Sequence, residues 1–308
     1  MGEARRRQQA ENDQKNSLEV RQAPTWPLAN FQVQKQLERE FTRLGIDYSQ
    51  PGFHDSFSFL AAEAKDPTFI DRYAQYVEAR YYTDSELTEA KRKIEIASDV
   101  VSKAVQSDGR HGLCVVASGV LSRILDELGV WNFCAKSTLT ITFPTNVSSN
   151  PQYFYALDQG NFTAPHAVVV APPFLLVDTT VSAQAYANST MSQALPSLIM
   201  QQQFTSFEWN EEDIAAPHVR IALKAKGKTV HSHLQSDNPH MLKMMNAFPA
   251  RLAEYAGGSL GYVITGVGGY SEKINELTHH TNINGKSASN LLKEQVQPRL
   301  STGRSLPA

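Results

Sequence analysis

The chain has 308 residues, 29 of them basic and 31 acidic, which is long enough to bury a full hydrophobic core without disulfide or metal staples. So balanced a charge excludes a whole-chain field that selects nucleic acid or an anionic membrane, and leaves a small molecule or another protein as the expected partner. Two cysteines, Cys114 and Cys134, are too few for a disulfide scaffold and point to a reducing compartment.

Residues 1–25, with Arg5-Arg6-Arg7 and almost no apolar side chain, have the composition of a disordered tail. They lack the apolar core of a signal peptide, and no apolar run approaches the roughly 20 residues of a membrane span. A soluble, cytoplasmic protein is expected, with export as an effector through an unstructured N-terminal signal as the alternative. Met1-Gly2 is followed by Arg6 where a myristoylation site requires Ser or Thr, so lipidation is not expected.

Folded structure is expected from Trp26. Phe31, Val33, Leu37, Phe41 and Leu44 recur at helical spacing ahead of Gly45. A second helix is predicted over residues 69–82, and a third starts at Thr83, where Thr-Asp-Ser-Glu has the spacing of a capping box. Its stripe of Leu87, Ala90, Ile94, Ala97, Val101, Ala104 and Val105 lies on one face and ends near Gly109. After a segment from Gly112 to Gly129, residues 135–143 alternate as a strand. Residues 146–161 read as a loop. Residues 167–171 and 174–177 read as two buried strands joined at Pro172-Pro173. Residues 239–256 look helical, residues 257–270 are glycine-rich with a short strand at 262–265, and a polar flexible tail is expected over 276–308.

The chemistry concentrates between Gly112 and Thr180. Leu121, Ile124, Leu125 and Leu128 share one helical face and Gly129 follows as a stop, so Cys114 opens that helix. A helix N-terminus carries partial positive charge and free N–H groups, which favour a thiolate and could hold the oxyanion formed when sulfur attacks a carbonyl. The backbone N–H of Cys114 is one oxyanion candidate, and the side-chain amide of Gln106 is a second. A turn centred on Pro172 would set His166 directly opposite Asp178, with Cβ atoms roughly 5 Å apart. The carboxylate would then orient the imidazole, which would take the thiol proton and return it to a leaving group.

These residues resemble the transglutaminase-like, papain-like superfamily. His-Gly-Leu-Cys-Val-Val-Ala-Ser-Gly-Val-Leu-Ser-Arg-Ile-Leu-Asp-Glu-Leu-Gly-Val is similar to its nucleophile helix, Pro-His-Ala-Val-Val-Val to its histidine strand and Leu-Val-Asp-Thr-Thr to its aspartate strand. The resemblance covers residues 112–180. It departs from many members in having Ala167-Val168 after the histidine, Thr179 for a proline, and a longer step from cysteine to histidine. It implies an α+β fold in which the cysteine helix packs on an antiparallel sheet carrying the histidine and aspartate, with extra N-terminal helices. A single catalytic domain over 26–275 follows, built from helices at 26–108, a core at 109–182 and a C-terminal portion at 183–275.

The expected activity is thioester-forming acyl transfer by a Cys114-His166-Asp178 triad on a protein, peptide or other amide. Hydrolysis as a protease or deamidase comes first and transfer to an amine is the alternative. A reading of another class is a non-catalytic binding module or a secreted effector on the same scaffold. No cofactor or metal is expected: His231, His233 and His240 match no ligand spacing, and Gly266-Val267-Gly268-Gly269 lacks the Lys-Ser or Lys-Thr of a phosphate loop and reads as a turn. Cys134 reads as a packing residue.

Overall fold

The computed structural model of the protein describes residues 26–158 and 165–302. The expected tail at 1–25 and the end of the expected 146–161 loop lie outside the described residues. Helix α1 (Phe31–Arg43) begins where Asn30 Oδ1 accepts from the N–H groups of Gln32 and Val33, a side-chain N-cap. It stops as predicted before Gly45, which has φ 66°. A 3₁₀ turn at Phe53–Asp55 and the two-turn helix α2 (Phe57–Glu63) follow, too short to show a period in the sequence. Helix α3 (Ile70–Ala79) completes the N-terminal layer. Its rings pack edge to face, Phe53 on Tyr73 at 5.0 Å and Phe59 on Phe69 at 4.9 Å between centroids, the arrangement that ring quadrupoles favour.

Helix α4 (Asp84–Asp108) starts at the predicted capping box: Thr83 Oγ1 accepts from the Glu86 N–H and the Glu86 carboxylate accepts from the Thr83 N–H. Helix α5 (Cys114–Glu127) packs beside it, with Ile94, Ala97 and Val101 of α4 and Ala117, Leu121 and Ile124 of α5 in one apolar cluster. The sheet runs β5 (Ile199–Gln201), β4 (Phe174–Asp178), β3 (His166–Ala171), β1 (Phe133–Thr142), β7 (Gly258–Gly268) and β6 (Arg251–Tyr255) in spatial order, and β2 (Gln152–Phe154) pairs with the far half of β1. Every pairing is antiparallel, so the architecture is α+β. Side chains alternate across a strand, and β3 is covered on both faces. Val168 and Val170 meet the N-terminal aromatic layer. Val169 and Ala171 meet α4 and α5.

Several expectations are corrected. Residues 152–154 are a strand inside the expected loop, held by β1 through Leu139, Thr140 and Ile141. Residues 239–256 are not one helix: Pro239–Ala247 is helical, and Arg251–Tyr255 turns into an edge strand. Gly266, Val267 and Gly268 continue β7 rather than turning, paired with Lys136, Ala135 and Cys134. The expected flexible tail carries helical turns at Ala288–Leu291, Leu292–Val296 and Gln297–Ser301. Its narrow apolar set of Ala288, Leu291, Leu292 and Val296 is buried against the α4–α5 cluster, a stripe outnumbered in composition by its polar neighbours.

One buried charge ties the layers together. Arg251, with no exposure, donates to the Leu175 carbonyl of β4 and to the Glu78 carboxylate of α3, and burial lowers its pKa to about 9. Glu78→Leu would leave that guanidinium unpaired and should cost about 3–5 kcal/mol in chemical denaturation, while adding Arg251→Met should recover most of the loss.

Candidate catalytic site

Gly112 takes φ 73°, a left-handed conformation that costs a side-chain-bearing residue, and its N–H donates to the Ala183 carbonyl at 3.2 Å. That turn delivers the chain into α5 with Cys114 as its first residue. No side chain caps this terminus, and the leading N–H groups of a helix have no intrahelical acceptor. Ser118 Oγ, one turn into α5, donates to the Ala167 carbonyl at 2.8 Å in a buried hydrogen bond, which pins the start of α5 to β3 beside His166. Further along, a Cβ on Gly119 would meet the Tyr270 ring at 2.5 Å, so α5 also needs a glycine to seat.

His166 opens β3 and Asp178 closes β4. They are not directly opposed as the turn at Pro172 suggested. The ladder pairs Val169 with Val177 and Ala171 with Phe174, with a bulge between, so the same register continued one step sets Asp178 against Val168. His166 is then the diagonal neighbour on the same face, a separation that a long ring spans. His166 Nε2 donates to Asp178 Oδ2 at 2.7 Å, and neither residue has any exposure. Asp178 Oδ1 accepts from the Thr180 N–H at 2.8 Å and its hydroxyl at 3.1 Å, and Oδ2 also accepts from the Tyr262 hydroxyl at 3.1 Å.

This leaves Nδ1 as the remaining nitrogen of His166, buried and without an aligned hydrogen bond. Cys114 stands next to the ring, packed on Ala167 and Cys134. Burial alone would lower the His166 pKa. The charge and hydrogen bond of Asp178, with Cys114 adding to them, raise it to about 10. Burial would likewise raise Asp178, but His166 and the two Thr180 hydrogen bonds hold it below the usual carboxylate range. The pair therefore favours its charged form, imidazolium against carboxylate, with the Cys114 sulfur beside it. Cys134 is different: burial pushes its thiol up to about 12.

The three predicted triad residues thus come together, while Gln106 does not join them. It is exposed near the end of α4, and its amide donates to Ser182 Oγ at 3.1 Å. His233 and His240 pair instead with Asp237 and Asp71, each at 2.7 Å. Tyr262, Thr180 and Ser118 support the site and were not singled out in the sequence. Thr180 is the last residue of the quoted Leu-Val-Asp-Thr-Thr motif and was within reach, whereas Tyr262 lies 84 residues from Asp178 and only the β1–β7 pairing brings it near. No protein-family model matches the chain, and no curated protein or solved structure matches it.

The stability of the pair should depend on pH from both sides. Folding raises the His166 pKa, so its contribution is complete below 6.5 and is lost as pH climbs toward about 10; folding lowers the Asp178 pKa, so its contribution is complete above 3.8 and is lost as pH falls through the folded value. Asp178→Asn should lower the melting temperature most between pH 3.8 and 6.5, with the gap to the parent narrowing on either side. A pH series of thermal melts on both proteins measures this.

Proposed function

We propose that this chain is a cysteine-dependent acyl-transfer enzyme with a transglutaminase-like, papain-like catalytic core. The observation that carries the reading is the fully buried His166–Asp178 hydrogen bond of 2.7 Å set beside a cysteine at a helix N-terminus. Asp178 and Tyr262 fix the ring so that Nδ1 is the nitrogen left to exchange a proton with sulfur. The thiolate of Cys114 attacks an acyl carbonyl, and the N–H groups of the first turn of α5 stabilise the oxyanion. The tetrahedral adduct collapses as the imidazolium gives its proton to the departing amine or ammonia, leaving a thioester. Water, deprotonated by the imidazole that this leaves neutral, then attacks the thioester, and the acid departs as the thiolate and imidazolium are restored. Hydrolysis needs no second substrate site, so it is the first choice over transfer to an amine.

Access favours the Cys114 side. Cys114 keeps 5% exposure and its neighbour Val115 keeps 45%, against none for His166 and Asp178, so an acyl group reaches sulfur past Val115. Among the described residues no helix is long and apolar enough to cross a membrane, and a peptide or protein amide in the cytoplasm is the substrate class proposed. The complete burial of His166 and Asp178 also favours a second reading, in which the pair is structural and the domain binds without catalysis. Alkylation separates the two. With iodoacetamide near neutral pH, followed by peptide mass spectrometry, Cys114 should react far faster than Cys134 and lose about 10²-fold or more in rate in His166→Ala. An inert Cys114, or one indifferent to His166, supports the binding module.

A further inference from the structure

The chain has two cysteines, Cys114 and Cys134, and the acyl-transfer reading uses only the first. The fold brings the second against it. Cys134 is the second residue of β1, and its ladder partners are Val169 of β3 and Gly268 of β7. Directly paired residues share a face of the sheet, and Val169 belongs to the cluster formed with α4 and α5, so the Cys134 side chain faces α5. There it packs with Cys114 and Ala167 in a small buried cluster separate from the larger apolar cores. Both cysteines are free thiols.

The two sulfurs are chemically unlike. Cys114 opens a helix beside His166, a setting that favours the thiolate, the form that attacks electrophiles. Cys134 is held as a thiol, because burial first and the Cys114 sulfur second push its pKa up to about 12. Cys134 is nevertheless not sealed off. It lines a partly enclosed cavity of about 220 Å³, together with Ser122, Gly268, Gly269 and Tyr270. Gly269 keeps that side open, since a Cβ there would stand 3.7 Å from the Cys134 Cβ. Cys114 keeps 5% exposure beside Val115. Hydrogen peroxide is uncharged and little larger than water, so it can enter spaces of this size. A reactive thiolate that meets peroxide alone passes through the sulfenic acid to the sulfinic acid, which dithiols do not reverse, whereas a neighbouring thiol intercepts the sulfenic acid as a disulfide.

We propose that Cys134 is the resolving thiol of Cys114, so that a hydroperoxide converts the nucleophile reversibly into a Cys114–Cys134 disulfide. The Cys114 thiolate attacks one peroxide oxygen, the O–O bond breaks, and hydroxide leaves and takes the imidazolium proton of His166, giving the sulfenic acid and water. The Cys134 sulfur then attacks the Cys114 sulfur, the S–O bond breaks, and the departing oxygen carries off the Cys134 proton as a second water. The two sulfurs are oxidised by two electrons in all, and the peroxide is reduced. The disulfide withdraws Cys114 from acyl transfer until a dithiol returns the two electrons. The inference rests on the acyl-transfer reading for the reactivity of Cys114.

The test treats the full-length protein with hydrogen peroxide, blocks remaining thiols with iodoacetamide, and reads intact and non-reduced peptide masses. The expected product is a monomer lighter than the reduced chain by two hydrogen atoms, with the Cys114 peptide linked to the Cys134 peptide. Dithiothreitol should restore its alkylation at Cys114. In Cys134→Ala, Cys114 should still alkylate at the parental rate, but peroxide should carry it to the sulfinic acid, beyond rescue by dithiothreitol. In Cys114→Ala, the same peroxide should leave Cys134 a free thiol. The linkage in the parent decides by itself if Cys134→Ala misfolds. Rapid alkylation of Cys114 without linkage to Cys134 overturns this inference and leaves the acyl-transfer reading standing, while a Cys114 inert to both reagents overturns both. Links between chains only, or equal sulfinic acid in the parent and Cys134→Ala, also overturn the resolving role.

Discussion

Burying a carboxylate and an imidazole with no water contact is strongly unfavourable unless each satisfies the other. The His166–Asp178 pair meets that condition at 2.7 Å, and much of the surrounding structure serves it. Thr180 occupies one carboxylate oxygen and Tyr262 shares the other. The pair consequently depends on three sheet strands at once, β3 for the histidine, β4 for the aspartate and β7 for the tyrosine, and β1 lies between the first and last of these.

The cysteine reaches the pair from a separate element. Helix α5 is placed by apolar contacts with α4 and β3 and by two polar ties near its start, Ser118 to the Ala167 carbonyl and Gly112 to the Ala183 carbonyl. One of those carbonyls follows His166 directly, and the other follows the Asp178–Thr180 turn. The thiol, the ring and the carboxylate are thereby tied to one another through the backbone as well as through their side chains, which is how a reactive geometry is held within tenths of an ångström. The same packing closes the site, so on the proposed reading an acyl group would enter by the exposed surface around Val115.

The parts of this arrangement that were legible in the sequence are those with local signals. The capping box at Thr83 and Glu86, the glycine stop after α1, the long stripe of α4 and the apolar face of α5 all act over a few residues and appear where the pattern puts them. Both strands flanking Pro172 were also legible, because apolar runs of that length bounded by prolines have few alternatives. Their register was not: the bulge near Val170 changes which residues oppose one another and leaves no sequence mark. Elements such as α2, β2 and β5, of seven, three and three residues, are shorter than any period that would reveal them. The C-terminal turns carry only four buried apolar residues, Ala288, Leu291, Leu292 and Val296, among many polar ones, which gives no compositional signal. The contact of Tyr262 with Asp178 spans 84 residues of sequence, and only the folded chain assembles it.

The account turns on whether Cys114 carries an acyl group. Mixing the protein with p-nitrophenyl acetate and following both nitrophenolate release and the intact and peptide masses reads this directly. The account predicts a burst approaching one nitrophenolate per chain with a single acetyl on Cys114, followed by slower turnover, and neither burst nor label in Cys114→Ala. An acetyl group found on Cys134 or on lysines alone, or release without any burst, would contradict it.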